Sequence, residues 1–165
     1  MSDLEQRLVD IIRADAGLMH VLTGVRTQDL PDWRVFSGAV YQSVWNAQTG
    51  REAGYGVRDY DLGYFDPDTS WDAEDVIIKR VAAAFEEPFR SKVEARNQAR
   101  VPIWFPAHFG EPYDPISGTD EALERFVAPA FAVGVRLEAD DRISVAAPFG
   151  LEDVFSLTLR PNPNR

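Results

Sequence analysis

Proline and glycine cut this chain into short pieces, and its apolar residues change period from one piece to the next. Leu4, Leu8, Ile11 and Ile12 recur at helical spacing, with Ser2 and Glu5 placed ahead of them as a capping box. A second helical stretch over 16–29 halts at Leu30-Pro31. Residues 33–36 are β-rich, Ser37-Gly38 breaks them, and Val40, Val44 and Ala47 restore a helical stripe over 39–48. A glycine-bearing loop over 49–57 leads into an alternating strand over 58–65, closed by the turn Asp66-Pro67-Asp68. The pattern then predicts a helix over 71–87 stopped by Pro88 and a short strand over 91–96. A helical run follows over 98–109, in whose first turn Pro102 must lie. Beyond a Pro/Gly loop over 110–118 come a short helix (120–127), two strands (132–138 and 143–146) around Asp140-Asp141, and a last helix (151–157). Pieces this short must bury their apolar sides against one another. The alternation therefore predicts an α+β (mixed α/β) fold, with the segments around Val35, Asp61 and Val93 in one mixed sheet covered mainly by helices.

Composition narrows the chemistry. With no cysteine among 165 residues, disulfides, thiolate metal sites and cysteine nucleophiles are excluded. Two histidines, His20 and His108, make a multi-histidine metal site nearly impossible. A formal net charge of -10 repels phosphate backbones, so no direct binding of double-stranded nucleic acid is expected, while a basic protein partner would suit the surface. The opening MSDLEQRLVD has no apolar signal-peptide core, and no apolar run approaches the roughly 18 residues of a membrane span. The expectation is a soluble, cytoplasmic protein without a membrane partner. No repeat or linker divides the chain, so 1–165 reads as a single domain: N-terminal helices (1–30), a core (31–110), and C-terminal strands and helix (111–165).

Two Asp-x-Asp pairs differ in context. Asp66 and Asp68 sit in a turn, where aspartate satisfies local backbone donors. Asp59 and Asp61 fall on the expected strand 58–65, where residues two apart point to one face, roughly 7 Å apart along the backbone. Two carboxylates aimed at one spot repel unless a cation lies between them, and oxygen ligands suit magnesium. The bland reading is a solvated or salt-bridged strand edge. Glu94 on the next short strand could add a third carboxylate, or pair with Arg96 or Lys92. At Ser37-Gly38 a strand turns into a helix, where a glycine lets backbone approach a ligand and helix N–H groups can meet a phosphate. The same turn could serve packing alone. Asn97 reads as a cap, Arg100 as a phosphate contact or a structural arginine, and Arg136 in the same two ways. Trp33, Trp45, Trp71 and Trp104 read mostly as packing residues, one of which could stack on a nucleobase.

The motifs SGAVYQSVWN, RDYDLGYFD, VEARNQAR, AVGVRL and APFGLEDVFSLTLRPNP occur in that order from Ser37 to Pro163. Together they resemble a small, largely uncharacterised bacterial nucleotidyltransferase-like family of the DNA polymerase β-type superfamily. That resemblance implies a minimal nucleotidyltransferase core: a twisted mixed sheet, a turn for the triphosphate, and an acidic triad on adjacent strands. Carried over residue by residue, Ser37 and Gly38 match the turn; Arg100 joins them as a candidate nucleotide contact only on its position after Glu94. Asp59, Asp61 and Glu94 match the catalytic, metal-holding carboxylates. The implied activity is transfer of a nucleoside monophosphate from an NTP to a small-molecule or protein acceptor with Mg2+ or Mn2+. In the superfamily the turn is usually Gly-Ser or Gly-Gly and the third carboxylate more often aspartate. Those departures keep open an alternative: a non-catalytic nucleotide-binding or antitoxin-like regulatory module of the same fold.

Overall fold

The computed structural model describes residues 2–165. Helix α1 (Asp3–Ala14) begins at Ser2, whose hydroxyl accepts from the Glu5 amide at 3.1 Å. One residue separates it from α2 (Ala16–Arg26), and that residue, Asp15, is buried. Its carboxylate accepts from the Leu18 amide at 3.0 Å and from Ser43 Oγ at 2.8 Å, donors without which a buried charge would be costly.

The chain continues through β1 (Arg34–Phe36), α3 (Gly38–Thr49), β2 (Tyr60–Tyr64), α4 (Trp71–Ala83), α5 (Phe89–Lys92) and β3 (Val93–Asn97). A 3-10 turn (Gln98–Arg100) leads into α6 (Val101–Phe109), with Pro102 in its first turn as the sequence requires. The C-terminal part holds α7 (Thr119–Leu123), a second 3-10 turn (Pro129–Phe131), β4 (Gly134–Leu137), β5 (Ile143–Ala146) and α8 (Glu152–Phe155). The five strands form one mixed, open sheet in the order β3-β2-β1-β4-β5. Only β2 and β3 run parallel, joined by the helical crossover that parallel neighbours need. The segments around Val35, Asp61 and Val93 therefore lie side by side.

Strand alternation gives the sheet two unlike faces. Tyr60, Leu62, Val35, Ala95, Val135 and Ile143 are buried in the main apolar core, together with Leu8, Ile12, Leu22 and Val44 from the helices. On the other face the cross-strand registers set Glu94 beside Asp61, Asp61 beside Phe36, and Phe36 beside Gly134. Only part of that face is covered, by a small second cluster of Phe36, Leu123 and Ala132.

Several expected elements shift, and the helices expected over 16–29, 120–127 and 151–157 end at Arg26, Leu123 and Phe155. The helix starting at Trp71 ends at Ala83 instead of 87, because the chain turns there to bury Phe85 against Gly24. Ser91 and Lys92 are helical, not extended: Arg90 Nε donates to the carbonyls of Ala82 and Phe85 and closes a turn just before β3. Strand β2 begins at Tyr60, which leaves Asp59 on the preceding loop.

Candidate active site

The turn between β1 and α3 carries the most unusual backbone near the acidic strand. Ser37 has φ 61° and ψ −138°, a left-handed conformation that glycine adopts freely and a side-chain-bearing residue adopts under strain. Gly38, by contrast, lies outside that region, and a Cβ built on it would meet nothing nearer than the Tyr41 hydroxyl at 3.7 Å. Neither backbone conformation nor packing among the described residues demands a glycine at 38. Helix α3 has no side-chain cap; the Val40 amide donates to the Ser37 carbonyl at 2.9 Å, while the Gly38 and Ala39 amides find no partner among the described residues.

Two hollows meet at this turn. The smaller, about 360 Å³, is lined by Ser37, Gly38, Gly56, Arg58, Asp59 and Asp61. The larger, about 480 Å³, has Ser37, Asp61, Glu94 and Arg96 at one end and a largely aromatic wall that includes Trp104, Phe105, Tyr113 and Phe126. Asp61 stands between them. Burial first, and then the charges of Glu94 and Asp59, push its carboxyl from 3.8 up to about 6, while Arg96 acts in the opposite direction.

The acidic residues are thus gathered, but unevenly. Asp61 and Glu94 are register partners on parallel strands, and Asp59 reaches the smaller hollow from its loop. Among the described residues no three His, Asp or Glu side chains close into a ready-made metal cluster. Asp59 lies just off the strand, so the two-residue alternation that orients Asp61 does not extend to it. The donor set still suits magnesium or manganese. Its ligands are hard oxygens, and Mg2+ is ordinarily held by one or two carboxylates plus water and substrate phosphate instead of an all-protein cage.

Arg100 is taken out of the site. It pairs with buried Glu74 at 2.7 Å, donates Nε to the Thr69 carbonyl at 3.0 Å, and does not line either hollow. Arg136 is likewise committed, to Glu138 at 2.6 Å and to the Trp33 carbonyl at 3.2 Å. Asn97 is the cap the sequence indicated, accepting from the Ala99 amide at 3.1 Å, and it also clamps the Asp66 backbone from both sides. Asp66 and Asp68 accept from amides two residues on, as turn aspartates do.

A model of a nucleotidyltransferase family matches residues 23–165. The chain belongs to that family. The nucleotidyltransferase also resembles a solution NMR structure described as revealing a CCA-adding enzyme head domain. The TM-score is 0.78 at 26% identity, over 96% of this chain and 78% of the other. A second solved structure, a tRNA-processing enzyme in an apo form, overlaps at TM-score 0.49 and 16% identity, over 86% of this chain and 37% of that one. No curated protein matches the nucleotidyltransferase.

Sequence reasoning passed over three arginines that line the larger hollow of the nucleotidyltransferase: Arg96, Arg125 and Arg165. For Arg96 a signal existed. It lies two residues after Glu94 in the buried-exposed alternation of β3, and so shares Glu94's face. For Arg125 and Arg165 none did, because only the folded C-terminal segments bring them to the rim. Arg165 donates to the Arg125 carbonyl at 2.7 Å, which fixes the chain end there.

Proposed function

We propose that this nucleotidyltransferase moves a nucleoside monophosphate from an NTP to an acceptor hydroxyl, with the triphosphate in the smaller hollow and the acceptor entering from the larger. The observation that carries the reading is the meeting of the two hollows at Asp61, between the strained Ser37-Gly38 turn and Glu94. The uncapped first turn of α3 offers N–H groups and the positive end of a twelve-residue helix dipole to a phosphate. Arg58 on the facing loop adds a full positive charge. Asp59, Asp61 and Glu94 would hold a divalent cation, which when bound offsets the charge of the triphosphate and lowers the barrier to attack on the α-phosphorus.

The remaining work falls to the protein's own groups. The acceptor oxygen attacks the α-phosphorus in line, the bond from that phosphorus to the bridging oxygen breaks, and pyrophosphate leaves. Glu94, on the side of the larger hollow, is placed to take the proton from the acceptor hydroxyl. The aromatic wall gives the acceptor an apolar surface to pack against beside that hydroxyl. The neighbour's description as a CCA-adding enzyme head domain supports a transfer reaction of this kind.

A second reading, nucleotide binding without turnover, is favoured by the one observation that no three acidic side chains form a closed cluster among the described residues. One experiment separates the two. Each NTP is supplied with magnesium and a pool of metabolite and protein acceptors, and pyrophosphate release and melting temperature are followed for wild type and Asp61→Asn. Transfer predicts magnesium-dependent pyrophosphate release that Asp61→Asn abolishes. A melting shift without pyrophosphate from any acceptor establishes the binding module instead.

A further inference from the structure

The larger hollow contains a polar reader that the transfer chemistry does not use. Gln98 follows directly after β3, is only 7% exposed, and yet lines this hollow. Its Nε2 donates to the Arg96 carbonyl at 3.2 Å. A carbonyl can only accept, so the amide nitrogen is fixed on that side and the Oε1 acceptor is turned the other way. Among the described residues nothing donates to that oxygen, in a side chain more than nine-tenths buried. Gly63 helps to hold it there: a Cβ at 63 would stand 3.1 Å from Gln98 Nε2 and 2.7 Å from the Phe36 ring, so both lie directly on bare backbone at the floor of the hollow. The oxygen is not sealed off from the hollow, so a ligand N–H entering there would meet an open acceptor on an otherwise buried side chain.

The surroundings say what carries that N–H. Trp104, Phe105 and Tyr113 line the space with aromatic side chains, Tyr113 already stacked under the Arg125 guanidinium at 4.8 Å, and a planar group can pack against such a wall. Arg96 reaches the same space, with its Nη1 bonded only to the neighbouring Ala95 carbonyl at 2.7 Å and with no ion-pair partner among the described residues. An arginine in that state is free to take an anion. The space, about 480 Å³, is of the size that holds a small molecule.

Resting on the transfer reading above, we propose that the larger hollow is the acceptor pocket and that it takes a nucleoside phosphate. Its base lies among the aromatic rings and donates to Gln98 Oε1, its phosphate meets Arg96, and a ribose hydroxyl faces Glu94. Gln98 and Arg96 are specificity-determining residues, outside the bond-making step.

The probe is adenosine 5′-monophosphate, titrated calorimetrically into the full chain in the presence of a chelator, so that no cation is involved. Its affinity is compared with those of adenosine and of purine riboside 5′-monophosphate, which lacks the exocyclic amine. On wild type, loss of the phosphate or of the amine is expected to weaken binding about tenfold each. Arg96→Met should erase the difference made by the phosphate, and Gln98→Leu the difference made by the amine. The ligand comparison on wild type needs no variant to fold. No measurable binding of the monophosphate, or equal affinity for all three ligands, overturns the proposal. The titration is then repeated with magnesium and a non-hydrolysable ATP analogue at saturation. Unchanged affinity for the monophosphate supports a separate acceptor pocket, whereas displacement shows that the hollow belongs to the donor base and overturns the assignment. If the analogue binds wild type and not Asp61→Asn while the monophosphate fails to bind at all, the acceptor inference fails and the transfer reading survives.

Discussion

Replacing Ser37 by glycine should make this protein more stable, against the usual outcome of putting glycine at the start of a helix. Ser37 is held at φ 61° and ψ −138°, and its side chain makes no cap hydrogen bond that would offset the strain. A non-glycine residue in such a region costs about 1–3 kcal/mol. Glycine removes that cost but adds freedom to the unfolded chain, worth about 0.4–1 kcal/mol in the other direction. The net gain expected is about 1 kcal/mol, or roughly 2–4 °C in melting temperature for a chain of this size. Ser37→Ala is the control, since it keeps the Cβ and the strain and loses only the hydroxyl, and it should stay within about 0.5 kcal/mol of wild type. Urea denaturation of the three proteins measures both differences. If Ser37→Gly is no more stable than Ser37→Ala, the conformation at 37 is not strained and the reasoning fails. The turn in the superfamily usually carries glycine at this first position, and Ser37→Gly would supply the same backbone freedom here.

Asp61 should make stability fall as pH rises. Its folded value of about 6 lies above its ordinary 3.8, so the folded protein holds the proton more tightly and the anion's penalty builds up between those two values. Asp61→Asn should match wild type near pH 4 and exceed it by about 1–2 kcal/mol at pH 8 without divalent cation, after allowance for solvent screening; a constant difference across that range would contradict it. Arg100→Met should cost about 3–5 kcal/mol, because it strands the buried Glu74 carboxylate. Nucleotide affinity per folded molecule, measured by equilibrium dialysis, should stay unchanged; a specific loss would return Arg100 to the site. Gly24→Ala would set a methyl 2.5 Å from the Phe85 ring and should lower stability by about 1–3 kcal/mol, read by thermal melting.

The sheet and most helices were legible because their signals are local. Ser2 and Glu5 announce α1, the buried-exposed alternation over 93–97 announces β3, and the Asx turns at 66–70 are chemistry between near neighbours. Misreadings arose where a distant partner decided the outcome. Phe85 ends α4 early in order to reach α2, and Glu74, 26 positions upstream, claims Arg100. The candidates Ser37, Gly38, Asp61 and Glu94 could be singled out from spacing and adjacent strands, and the folded chain sets them around two adjoining hollows. Arg125 and Arg165 could not be, since they reach the larger hollow only through C-terminal segments that carry no periodic pattern. Asn162 anchors one of these by donating to the carbonyls of Glu124 and Phe126 at 2.8 and 2.6 Å.

The family match starts at residue 23, inside α2, while Leu8, Ile12, Leu18 and Leu22 are all fully buried in the same core as Val35 and Leu62. Shared ancestry and shared folding therefore have different borders in this protein. The solved structure that overlaps 96% of the chain extends past the point where the family pattern fades. Apolar helix residues can be exchanged for others of similar volume without loss of their packing role, and such exchange erases sequence likeness faster than it erases shape. A chain trimmed to the matched segment would keep every candidate site residue and lose α1 and most of α2, whose Leu8, Ile12, Leu18 and Leu22 fill the core beside Val44 of α3. For this protein, the stretch least recognisable by descent is among those the acidic strand depends on to stand where it does.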